Sequence, residues 1–258
     1  MEAKPKGEKS MRAKERCKLI GKNVFECFKR SFSSSFMYWM AGAILMMLTM
    51  KGNLATGLTA KRWTWTIVCI VAAAAYSAFV AYVCGGTHYE MLVSGNMKRI
   101  SAMNMGTEFK ISSHKIEKEY RIWKGFAIGG FIALITVIGG IFFGANQAEI
   151  NKIGVDGQNP TKLVAVFSLI FFLLTGWSVL PFLYANAAGA AISYYWTCLM
   201  ALLPIAVYGG MYIVGAYGRR RKSIRAQELA DRAAAAQEAK PKKINYGGLP
   251  GTKPKKRK

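Results

Sequence analysis

Five long apolar stretches, 32–50, 63–84, 125–145, 163–185 and 187–218, contain none of the chain's 36 Lys and Arg or 13 Asp and Glu. No other feature constrains the fold as tightly. A buried strand in a water-soluble sheet needs an apolar run of four to eight residues, whereas a bilayer core of about 30 Å takes about 20 residues of helix to cross. Each stretch meets or approaches the second length. Aromatic residues stand near span ends, with Tyr38 and Trp39 in the first and Trp63 and Trp65 opening the second, as an interfacial belt requires. The expected fold is an all-α polytopic transmembrane helical bundle in a multi-pass cell membrane. A bacterial plasma membrane is the first reading, and the endoplasmic reticulum applies if the source is eukaryotic.

The charge left between these stretches sets the organisation. Residues 1–31 form a basic arm, 32–218 the membrane domain with a long connection at 85–124, and 219–258 a basic tail. The net charge of +23 is read as loop charge that sets topology and then holds anionic head groups, rather than as specific nucleic-acid recognition. The contact residues expected for an anionic leaflet or a polyanionic partner are Lys18, Lys22, Lys29 and Arg30 in the arm, with Arg219, Arg220, Arg221, Lys222 and Arg225 in the tail. Other membrane proteins or the ribosome are candidate partners. The first apolar run begins only after the charged arm, which suits an anchor better than a cleaved signal peptide.

Two amphipathic helices are expected on the cytoplasmic surface. Leu19, Ile20, Val24, Phe25, Phe28 and Phe32 share one helical face of the arm, which suits docking in the interface. The stretch SSHKIEKEYRIW reads as a second surface helix opened by Ser112 or Ser113, with Ile116, Tyr120 and Trp123 on one side. Gly95 and Asn96 mark the expected end of the second long helix, and Gly85-Gly86 reads as a bend.

Lys and Arg alternate from ten before the first stretch to three, seven, two and finally fourteen in the tail. This places the N-terminus in the cytoplasm. Five full crossings would put the most basic segment of all on the opposite side. Three resolutions are open: an external tail, one stretch that fails to cross, or a fifth stretch that enters and returns. The third is favoured, because 187–218 is longer than one crossing needs and carries Pro204 with Gly209 and Gly210 as a candidate helix break. A single long, kinked span is its near equal.

The third stretch carries Gly125, Gly129, Gly140 and Gly144 in two GxxxG pairs. Such pairs let helix backbones approach closely, here more within one chain than between copies. The chemistry is sparse. His88, Glu90 and His114 are the only acid–base constellation, and Cys84 precedes His88 by one helical turn. That is too few ligands for a metal centre, and no nucleotide-binding or hydrolase motif accompanies it. No catalytic residue, cofactor or metal is expected. Apolar stretches free of ionisable groups also argue against ion-coupled transport. The lysine-rich end, KKRK, reads as an electrostatic tail rather than an address signal. The leading functional expectation is a non-enzymatic scaffold or accessory protein, and the rival is a small-solute permease or channel component built on a broken fifth helix.

Overall fold

The computed structural model describes residues 6–50, 60–106, 116–151 and 162–238. The opening five residues, Ser112, Ser113, His114 and the KKRK end lie outside them. Among the described residues, seven α-helices run in the order α1 Lys6–Met50, α2 Ala60–Asn104, α3 Ile122–Ala145, α4 Gln147–Asn151, α5 Lys162–Ala187, α6 Thr197–Met200 and α7 Leu202–Glu238. Single 3-10 turns stand at Ile116–Lys118 and Tyr194–Trp196, and no described residue is in a strand. Two units are resolved by contact. The first ends at Arg219, and the second begins at Arg220 and is described as helix to Glu238.

Five helical stretches have the length and composition to cross a membrane: Cys17–Leu48, Trp63–Asn104, Ile122–Ala145, Leu163–Ala187 and Tyr194–Ala236. Between 22% and 44% of each apolar window is buried inside the protein. The remainder is bare apolar surface, far beyond the patch a water-soluble monomer exposes.

The arm does not lie apart from the first span. Helix α1 is continuous for 45 residues, about 68 Å at 1.5 Å per residue, and no proline interrupts it. Its outward stripe of Phe25, Phe28, Phe32, Phe36, Met40, Ile44 and Met47 passes without a turn from the basic segment into the span. Asn23, Cys27 and Ser31 face inward on the other side. The arm is therefore helix continuous with the first apolar stretch rather than a separate element. Its apolar face is the lipid-compatible face of the span begun early.

Helix α2 likewise runs past Gly85-Gly86 and past Gly95 and Asn96 to Asn104. The expected bend is absent because both glycines serve close packing. A Cβ on Gly85 would collide with the backbone carbonyl of Tyr212, and one on Gly215 with that of Tyr82. Among its described residues, the stretch expected as a second surface helix has the 3-10 turn Ile116–Lys118, followed by a non-helical Glu119–Arg121 that leads into α3.

All four glycines expected to pack helices do so within the chain. A Cβ on Gly125 would meet the Tyr212 ring at 2.8 Å, and one on Gly129 the backbone of Pro204 and Ile205 at 2.8 Å. Gly140 faces Thr197 and Cys198, and Gly144 faces Tyr195. As numbers rise along α3 they fall along the last helical stretch, so the two are antiparallel. Pro204 occupies the third position of α7, where its missing N–H would have had no intrahelical acceptor. The helix then runs unbroken through Gly209 and Gly210. The helix break expected at these three residues is corrected. The chain instead breaks just before, at 188–193, where Gly189 and Ala191 take φ of 89° and 50°.

Residues on either side of α5 lie close together. The Tyr194 hydroxyl donates to Asn151 Oδ1 at 2.8 Å. Gln147 Nε2 and Asn186 Nδ2 both donate to the carbonyl of Ile192, at 3.3 and 2.8 Å. The segment 152–193, which contains α5, thus starts and finishes at one place beside the end of α3. It contributes no net passage from one end of the unit to the other. Within that excursion α5 packs on α1, with Trp177 4.7 Å from Tyr38 and Gly176 against Gly42.

Candidate functional site

With α3 and the last helical stretch antiparallel and 152–193 closed on itself, cations from α1, the α2–α3 connection and Arg219 meet at one end of the first unit. Arg219 forms an ion pair with Glu90 at 3.1 Å, and its side chain covers Gly86. Lys29 and Arg30 of α1, Cys84 of α2 and Lys118 of the 3-10 turn line one cavity. Of the expected contact residues, Lys29, Arg30 and Arg219 are brought to this end. Lys18 and Lys22 lie exposed about two to three turns before them on α1, and Arg220, Arg221, Lys222 and Arg225 are exposed within the second unit.

The connection between α2 and α3 is fastened to this end by polar groups that the sequence pattern did not single out. Lys124 is fully buried, and its Nζ donates to the carbonyls of Glu117 and Glu119 at 2.6 and 2.8 Å. An ammonium out of water needs such acceptors, and here it ties the 3-10 turn to the first helical turns of α3. Glu119, also buried, binds Arg99 Nη2 at 2.5 Å, and Arg99 Nη1 reaches Asn96 Oδ1 at 2.8 Å. The extension of α2 past the expected stop is what carries Arg99 to this partner.

His88 is buried at 2% exposure. Its Nδ1 lies 2.8 Å from the Tyr212 hydroxyl, and the Cys84 Sγ is 3.9 to 4.0 Å from the ring nitrogens. Tyr212 stacks on Tyr120 with centroids 5.2 Å apart, and the Tyr120 N–H donates to the His88 carbonyl at 3.0 Å. The histidine thus joins α2, α7 and the connection. Among the described residues, no three His, Cys, Asp or Glu side chains stand close enough to hold a metal. Glu90, the third member of the sequence constellation, faces Arg219 instead.

This arrangement makes a prediction. Tyr212→Phe leaves the buried imidazole without its partner, which costs about 1–3 kcal/mol, and should lower the unfolding midpoint in detergent. Tyr217→Phe, at an exposed position of the same helix, should leave it unchanged. Equal midpoints for both variants would remove the structural role from the His88–Tyr212 contact.

The cavity holds about 470 Å³ between α1 and α2. Its α1 wall is polar: Glu26, Lys29, Arg30 and Ser33 follow at helical spacing, and Arg30 Nε binds Glu26 at 3.1 Å. Its α2 wall is apolar, from Phe79, Val80 and Val83 to Cys84. Comparison with protein-family models, with curated proteins and with solved structures gives no match.

Proposed function

We propose that this chain is a multi-pass membrane protein acting as a non-enzymatic scaffold or accessory protein, with its basic end in the cytoplasm. There it holds anionic lipid or a polyanionic partner. The observation that carries the reading is the convergence of the basic arm, the basic connection and Arg219 at one end of the first unit. Such segregation is what the positive-inside rule requires of a cytoplasmic face. The non-enzymatic part is supported by the work of the buried polar groups at that end, since Lys124, Glu119 and His88 are each engaged in joining helices. The permease reading drew its support from a broken fifth stretch, and α7 is continuous there.

Salt separates this reading from a purely apolar attachment. Each basic residue near an anionic leaflet contributes about 1 kcal/mol, decaying over a Debye length of about 8–10 Å at 0.10–0.15 M salt. A peptide of residues 219–258 should bind anionic vesicles at low salt and leave them as salt rises. Binding indifferent to lipid charge and to salt would count against the basic segments as contact surfaces. A pull-down from native membranes identifies the partner.

A further inference from the structure

We propose that the cleft between α1 and α2 is a stoichiometric binding site for one anionic phospholipid. The phosphate lies at Lys29, Lys118 and Arg30, and an acyl chain runs along Phe79 and Val83. The site rests on the membrane reading above and goes beyond it, because a diffuse basic surface has no defined occupant.

The two walls match the two halves of a lipid. Glu26 engages Arg30 through Nε, so the pair is internally compensated and Lys29 and Lys118 leave the lining with net positive charge. The opposite wall is apolar and open, with Phe79 65% and Val83 46% exposed. Polarity therefore changes across the cleft, from the cation-bearing α1 wall to the apolar α2 wall, so a head group and an acyl chain each meet a matching surface. A free phosphate would satisfy the cations and leave the apolar wall uncovered. A zwitterionic lipid would bring its own cation against Lys29 and Lys118. The volume falls within the range of about 300–1,000 Å³ typical of small-ligand sites, enough for a head group and the first part of a chain.

The full-length protein, purified in a neutral detergent, is incubated with dioleoylphosphatidylglycerol or dioleoylphosphatidylcholine. Bound lipid is then counted by native mass spectrometry after free lipid is removed. One phosphatidylglycerol per chain is expected to remain, with phosphatidylcholine washed away. Lys29→Gln combined with Lys118→Gln should weaken retention about thirty-fold, the equivalent of two cations beside an anionic head group. Val83→Trp, which fills the apolar wall without changing charge, should weaken it as well. Both cations are at the surface of the fold, so the lysine variant carries the test if the tryptophan variant fails to elute as folded protein.

Equal retention of the two lipids would overturn the proposal. So would phosphatidylglycerol retention unchanged by the lysine variant, or glycerol 3-phosphate competing as well as the lipid. The last result would leave an anion site without a lipid. Failure here with basic ends still facing the cytoplasm sinks the cleft alone. Basic ends found outside would sink the membrane reading while lipid retention in detergent still tests the cleft.

Discussion

Reporter cysteines at Lys22 and Ser223, introduced after the native thiols are removed, should both resist an impermeant reagent in intact cells and both react once the membrane is opened. A residue in the loop before α2, such as Thr56, should show the opposite behaviour. The effect is all-or-none, since a site is on one side or the other. The expectation follows from three contacts. Asn151 meets Tyr194, which closes the 152–193 segment on itself. Gly125 and Gly144 meet Tyr212 and Tyr195, which sets the last helical stretch antiparallel to α3. Arg219 meets Glu90 at the end where Lys29, Arg30 and Lys118 gather. The Arg219–Glu90 pair is half exposed on both sides, and such pairs contribute little stability, so it serves here to locate the chain. Labelling of Ser223 from outside would restore five ordinary crossings and remove the shared basic face.

Gly85→Leu and Gly215→Leu should each abolish or severely reduce folded protein, while Gly130→Ala and Gly210→Ala should be neutral or mildly stabilising. At Gly85 and Gly215 an added Cβ meets a backbone carbonyl of the facing helix. Backbone cannot turn aside as a side chain can, so α2 and α7 would have to separate along their contact. Overpacking a closed interface costs about 1–3 kcal/mol even where side chains can adjust, and leucine adds further atoms at the same point. Separation would also pull Tyr212 from His88. Gly130 and Gly210 have nothing within 4 Å of an added Cβ, and replacing a helical glycine by alanine recovers about 0.5–1 kcal/mol. Fluorescence-detected gel filtration and thermal unfolding in detergent measure both sets. Tolerance of leucine at Gly85 would mean that α2 and α7 do not approach as closely as the structure has them.

Segregation of charge from apolar residues is a local property, written residue by residue. The five apolar stretches, the all-helical class and the close-packing role of Gly125, Gly129, Gly140 and Gly144 could therefore be read from the chain alone. The alternation of basic loops placed the N-terminus inside and left three resolutions open for the tail. The contacts that bear on them are tertiary. Pro204 reads as a break in a pattern of apolar residues, but its effect depends on its distance from the helix start, which the turn at 188–193 fixes. The fourth stretch has the length of a span, and only the contact of Asn151 with Tyr194 reveals that the chain on its two sides lies together. Lys124 looks like a solvated flank until the carbonyls of Glu117 and Glu119 are brought to it. His88 and Glu90 are two residues apart in sequence, yet one is buried against Tyr212 and the other meets Arg219, because successive positions on a helix face different neighbours. The cleft lined by Lys29, Phe79 and Lys118 joins residues up to 92 positions apart, from Glu26 to Lys118. No periodicity within a single helix encodes such a site, since its two walls belong to different elements and exist only once those elements have packed.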